Sequence, residues 1–271
     1  MTMSTSKKVI FYVILILSAL LLAGPMILAF VMSLMTNQDI LTGSIPTALT
    51  VDNYSRAFER TPLLSYLINS LLVSIVIMLG QLLLSSLAAY AFVFLEFKGR
   101  DLLFYIFIAT LMVPFEVSVI PNFHLIRDLD WIDSYAGLTI PFFATAFGTF
   151  LLRQNFKQIP KELREASQIA GIGDVKYYLT VVLPVAKSSL VTFGIYGFLS
   201  SWNMYLWPLL ATTNDKVRTV QIGLKQLQTQ EQVNEWGVIM AGAVIVIIPT
   251  LILLFFGQKK LQKGITEGAL K

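Results

Sequence analysis

Six long apolar stretches joined by more polar connections set the pattern of this chain. They lie at about 9–34, 67–95, 102–120, 136–152, 190–210 and 237–256. A continuous apolar run of roughly 20 residues predicts a helix that crosses a bilayer. The second run is long enough to span with tilt. The fourth is the weakest, being short and interrupted by Pro141. Proline is tolerated in such helices because neighbouring helices satisfy the freed backbone groups. Lys7 and Lys8 precede the first run, which has the order of a signal peptide. The run is too long for a signal core and no Ala-x-Ala pattern follows it, so it is read as an uncleaved first span. The pattern therefore predicts an all-α membrane protein, with residues 1–271 forming one transmembrane domain of about six helices.

Composition agrees. The 271 residues are 56% hydrophobic and only 13% charged, with a mean hydropathy of +0.72. A soluble domain needs more surface charge, and a lipid-facing surface accounts for the deficit. The absence of cysteine excludes disulfides and thiolate chemistry. A single histidine, His124, makes a membrane-embedded enzyme a weak reading; with Asp128, Asp130 and Asp133 it forms a solvated acidic rim rather than a metal site.

The placement of the cations orients the chain. With the N-terminus inside, the inner segments hold Lys7, Lys8, Lys98, Arg100, Arg153, Lys157, Lys161, Arg164, Lys176, Lys187, Lys259, Lys260, Lys263 and Lys271. The outer segments hold only Arg56, Arg60, Arg127, Lys216, Arg218 and Lys225. The bias predicts a multi-pass membrane protein with both termini in the cytoplasm. The net charge of +4 then reflects inner loops next to helix ends, not nucleic-acid binding. The basic tail at Lys259–Lys263 is expected to rest near anionic headgroups.

The longest inner connection, about 153–187, carries structure in its sequence. Pro160 suits a helix start, and residues 161–170 are mostly good helix formers. Leu163, Ala166 and Ala170 share one face. Gly171 and Gly173 break the helix, and a glycine can take the left-handed C-terminal conformation. Asp174 is placed to cap a second short helix through Lys176–Leu183, and Pro184 leads into the fifth span. Pattern alone leaves two readings: an amphipathic helix lying on the inner membrane surface, or a small-residue face built to dock on a protein.

The run Glu165-Ala166-Ser167-Gln168-Ile169-Ala170-Gly171-Ile172-Gly173, with Leu183-Pro184 a dozen residues on, resembles the coupling loop of permease subunits of binding-protein-dependent ABC importers. Glu165, Ala166, Gly171, Leu183 and Pro184 match the family signature, while Ser167, Ala170 and Ile172 depart from its Ala, Asp and Ala. Losing the Asp removes one polar contact. Met112-Val113-Pro114, Ile120-Pro121, Asp133-Ser134-Tyr135-Ala136-Gly137-Leu138, Trp202-Asn203 and Tyr205-Leu206-Trp207-Pro208 also match these permeases. The similarity is to the carbohydrate type, including maltose-family and glycerol-3-phosphate importers.

The resemblance implies a second homologous permease subunit, most simply in a heterodimer, two ATPase subunits and an extracytoplasmic solute-binding protein. ATP and Mg would sit on the ATPase; no cofactor or metal is expected on this chain, which lacks the G-x-x-x-x-G-K-[ST] phosphate loop. The coupling residues it implies are Glu165, Ala166, Ser167, Ala170, Gly171, Gly173, Leu183 and Pro184, with Glu165 pairing with a basic ATPase residue.

On the substrate side, Glu116 is the acidic residue well inside an apolar run. It reads either as a pathway residue or as a group reaching the outer interface. Asn203 between Trp202 and Tyr205 suits a sugar, whose ring faces stack while its hydroxyls need partners; the same residues also suit an interfacial belt, to which Trp207 is assigned with Tyr205. Thr212–Trp236, with Gln221, Gln226, Gln228, Gln230 and Gln232, reads as a polar outer loop, either a solvated spacer or, as the resemblance implies, the loop that reaches the docked binding protein. The competing class is an ion-gradient-driven secondary transporter, which would need a buried ionisable relay and often inverted repeats. Glu116 is its one candidate.

Overall fold

The computed structural model describes residues 5–46, 48–230 and 235–269, and side chains from 8 to 258 within those segments, Gln230 excepted. Gln232 and the side chains of Lys7, Gln230, Lys259, Lys260, Lys263 and Lys271 lie outside the described residues. Fifteen α-helices and no strand occur among the described residues. In chain order they are α1 Thr5–Ser33, α2 Asn37–Thr42, α3 Asp52–Arg60, α4 Leu63–Phe94, α5 Arg100–Ala109, α6 Phe115–Asp128, α7 Tyr135–Thr139, α8 Ala146–Phe156, α9 Lys161–Ile169, α10 Asp174–Tyr177, α11 Leu183–Val185, α12 Lys187–Trp202, α13 Leu206–Ala211, α14 Val220–Gln230 and α15 Trp236–Ala269.

Three unbroken helical stretches, Lys8–Ser33, Leu63–Phe94 and Trp236–Gln258, are long and apolar enough to cross a membrane. Three bent pairs raise the number to six if each pair is one span. This is an all-α membrane fold, but the third, fourth and fifth apolar runs are not straight rods. The third run bends by 100° between Met112 and Phe115. Pro114 is the cause: it has no N–H to continue the ladder, and it drives Val113 into the extended region with ψ 114. The fourth bends by 45° after Phe142, just past Pro141. The fifth is entered through a 79° bend between Val185 and Lys187, and its apolar run stops at Trp202 and resumes at Leu206.

The chain divides into two compact units. The first comprises residues 1–64 and 223–248. In it, Asn53 on α3 donates to the carbonyls of Ser33 and Met35, each at 2.9 Å, capturing an orphan acceptor at the end of α1 and a second carbonyl just past it. Ser33 and the Tyr54 hydroxyl share a hydrogen bond of 2.7 Å. Arg56 and Arg60 both meet Glu235. A Cβ on Gly237 would lie 2.6 Å from Asn53, so only glycine admits this approach.

The second unit comprises residues 65–222 and 249–271. One of its apolar clusters joins Ala89 and Tyr90 of α4 to Leu152 and Phe156 of α8, Tyr177, Tyr178 and Val182, and Phe193 of α12. Another joins Val73 and Ile77 of α4 to Ile126, Leu138, Trp207 and Ala211. Trp207 is fully buried and donates its indole N–H to Gly137 O at 3.0 Å. It is therefore a core anchor and not the interfacial belt residue expected from its aromatic neighbours. A polar outer loop over Thr212–Trp236 is likewise corrected, since Val220–Gln230 is helical and buries Val220, Ile222 and Leu227.

Candidate functional site

The segment between α8 and α12 is built from short pieces whose ends are fixed by sequence. Pro160 takes the N-cap position of α9 with an extended ψ of 135. Ala170 ends the helix, and Gly171 adopts φ +68, the left-handed conformation that closes helices cheaply only as glycine. Ile172 N–H then returns to Ser167 O at 2.9 Å.

Ser167 is the buried residue of α9, and its hydroxyl donates to Arg164 O at 2.7 Å. Leu163, Glu165, Ala166, Ile169 and Ala170 are exposed. Ile169 is 89% exposed and Val175 74%. The small-residue face thus points away from the chain, and an apolar pair flanks the Gly171 turn. Gly173 is exposed and extended. Leu183 and Pro184 sit in α11, just before the 79° bend that leads into α12, Pro184 being exposed.

Asp174 does not cap its helix. Gly173 holds the N-cap position with no side-chain bond, and the Asp174 carboxylate turns to two donors instead. Arg164 of α9 donates to Oδ1, and Tyr90 of α4 donates to the same oxygen at 3.0 Å. The Arg164 guanidinium also lies 4.9 Å over the Tyr177 ring, a favourable cation–π placement. The second helix is also not continuous α-helix to Leu183: Tyr178–Val182 is a π turn. Tyr178 of that turn shares a 2.7 Å hydrogen bond with Ser86 of α4, so α4 grips the segment at two hydroxyls one turn apart.

Sequence reasoning missed Tyr90, Asp174 as the hub, and Arg153. The signal for Arg153 was faint: one cation ending an apolar helix. It is 7% exposed, lies 3.8 Å over the Phe104 ring, and has Asp101 at 3.5 Å.

The substrate-side candidates differ in exposure. Trp202 is 1% exposed and stacks on Phe198 with an interplanar angle of 13°. Asn203 is exposed and donates to Leu199 O at 2.8 Å. Tyr205 is half-buried. Glu116 is exposed in the first turn of α6, after the Pro114 bend, where a carboxylate complements the helix dipole. Among the described residues no cluster of three metal-ligating side chains occurs.

Asp133 has a different task. At φ 56, its carboxylate accepts from Thr213 N–H and Oγ1 at 2.6 Å each and from Asn214 N–H at 2.8 Å. Burial alone raises its pKa, but these donors, the Thr213 hydroxyl foremost, outweigh it and hold the carboxyl below its ordinary value. Tyr66 donates to Asp215 at 2.8 Å, and Asn69 donates to the carbonyls of Lys216 and Arg218. The 212–219 connection is thereby tied down along its length.

The model of the family described as binding-protein-dependent transport system inner membrane component matches residues 81–267. The sn-glycerol-3-phosphate transport system permease protein UgpE of Brucella abortus is 36% identical over 272 residues, covering 96% of each chain. Its namesake in Agrobacterium fabrum is 35% identical over 271 residues, again with 96% of each chain. That of Yersinia pestis is 32% identical, covering 94% of this chain and 95% of its own. Among solved structures, a bacterial ABC transporter involved in the import of the acidic polysaccharide alginate matches with a TM-score of 0.86 and 25% identity, over 96% of this chain and 99% of that one. The chain belongs to the binding-protein-dependent transport system inner membrane components, the permease subunits of ABC importers.

Proposed function

We propose that this permease carries a carbohydrate or polyol phosphate, in the glycerol-3-phosphate class, from an extracytoplasmic binding protein into the cytoplasm, driven by ATP hydrolysed on partner subunits. The near-full-length likeness to glycerol-3-phosphate permeases supports the substrate class. The observation that carries the coupling role is the exposed α9 face, with Glu165 and Ala166 beside the bare Ile169 and Val175. An isolated apolar–acidic knob on a pinned base suits insertion into a cleft of another protein.

In this reading Glu165, Ala166, Ser167, Ala170, Gly171, Gly173, Leu183 and Pro184 form the coupling element, facing the cytoplasm with both termini. Two ATPase subunits hold ATP and Mg, and a homologous permease completes the pore. Closure of the ATPases moves α9, and the Tyr90–Asp174–Arg164 contacts pass that motion to α4 as a rigid-body displacement. Glu116, Asn203 and Tyr205 line the substrate path, with Trp202 packed behind Asn203. No cation lies within the apolar runs, so the charge for an anionic substrate comes from the partner permease.

The test is reconstitution of the importer with its binding protein and labelled glycerol-3-phosphate. ATP-dependent uptake, competed by unlabelled polyol phosphate, is expected. Uptake by the lone chain under an ion gradient would overturn the reading.

A further inference from the structure

Beside α9, at the end of α4, lies a cleft of about 490 Å3. Its floor is apolar and aromatic, including Phe92, Phe94 and Phe156. Five cations line it: Arg100, Arg153, Lys157, Lys161 and Arg164. Arg164 is engaged by Asp174. Three carboxylates also line it, Glu96, Asp101 and Glu165, leaving the lining net cationic.

Arg153 marks this as more than a solvated basic rim. Its side chain is only 9% exposed, and its one carboxylate neighbour, Asp101, is itself 65% exposed at 3.5 Å. Its Nε–H is buried with no acceptor among the described residues. The Phe104 ring 3.8 Å beneath it offsets part of the burial, but a buried guanidinium with an unused donor and one long ion pair is still costly to maintain, and a phosphate oxygen is the acceptor that its planar fork fits best.

Depth identifies the source of that phosphate. The apolar span of α4 ends at Phe94, and charges begin two residues later at Glu96. The cleft therefore opens at the level where apolar tails give way to headgroups. Basic pockets between spanning helices at that level bind anionic lipid headgroups.

We propose that this cleft holds the phosphate of an anionic phospholipid headgroup. The phosphate takes the fork of Arg153, Lys157 and Lys161 close over it, and the glycerol and upper acyl carbons lie on the phenylalanine floor. The inference rests on the membrane fold alone and needs no ATPase.

Native mass spectrometry of the purified full-length chain, with whatever subunits accompany it, tests this in mixed micelles of phosphatidylglycerol and phosphatidylcholine. Preferential retention of phosphatidylglycerol is expected. The exposed double substitution Lys157→Gln with Lys161→Gln spares the core and should weaken retention by about fivefold per cation removed. Arg153→Lys keeps the charge but loses the fork, and should also reduce retention. Equal retention of both lipids, or phosphatidylglycerol retention unchanged in the double variant, would overturn the proposal. Inorganic phosphate is the second probe: a site that takes it while showing no lipid preference is a soluble-anion site, which also rejects the lipid assignment.

Discussion

Tyr90 and Arg164 meet on one oxygen, Oδ1 of Asp174. One donor belongs to the long helix α4 and the other to α9, so a single carboxylate joins a spanning helix to the candidate coupling element. Tyr90→Phe removes the donor and keeps the ring, which packs edge-on against Tyr178 at 5.4 Å. The loss should cost about 1 kcal/mol and leave insertion intact. If the junction transmits motion, ATP hydrolysis in the assembled importer becomes less dependent on the binding protein. Unchanged coupling in Tyr90→Phe and Asp174→Asn would leave the junction a purely static brace.

Glu165 is exposed and makes no ion pair among the described residues. Glu165→Lys is therefore expected to leave stability within about 0.5 kcal/mol of the parent, while ATPase subunits fail to co-purify or hydrolyse ATP without transport. Normal complex recovery and uptake would remove Glu165 from the docking surface.

Gly171 has open space around its missing Cβ but a φ of +68. Gly171→Val is thus strained by conformation and not by crowding, at a cost of about 1–2 kcal/mol. Protease sensitivity at 168–174 should rise before global melting changes. Gly171→Asn, which tolerates the left-handed region, should restore most of the protection.

Asp133 supplies a pH dependence of known sign. Its carboxyl is lowered from the ordinary 3.8, so the folded state favours the charged form. The stability it contributes is fully present above that value and is lost as pH falls through the lower folded value. The thermal stability of Asp133→Asn should lie below the parent near neutrality, and the gap should close as pH drops below about 4. A gap constant with pH would show that the Thr213 and Asn214 contacts do not depend on the charge.

Glu116→Ala should slow uptake without loss of membrane insertion if the carboxylate lines the path. Unchanged uptake and selectivity would leave the first turn of α6 as its whole role.

The long runs of α1, α4 and α15 were legible because unbroken apolar length is a one-dimensional signal. Gly171 was legible for a similar reason: a helix former run stopped by glycine names its own cap. The Pro114 bend was not, because hydropathy continues through it from Leu102 to Ile120 while the backbone turns. Tyr90–Asp174 lies 84 residues apart, and nothing local distinguishes Tyr90 from the other aromatics of α4. Trp207 looked like a belt residue because an aromatic near a span end carries the same pattern whether its indole meets lipid headgroups or a carbonyl of Gly137.

Not one residue of the most apolar window in the first span is buried within the chain. Within this chain, that helix is constrained by its solubility in oil and not by fit. A saturation library should show it as a stretch where Leu, Ile, Val, Phe and Met exchange almost freely, up to the buried Ser33. Arg or Asp at its centre should be depleted, by an insertion penalty of roughly 2.5–3.5 kcal/mol. Any position in it that refuses apolar exchange would then mark where a neighbouring subunit touches, which makes its tolerance map a way to locate the second permease.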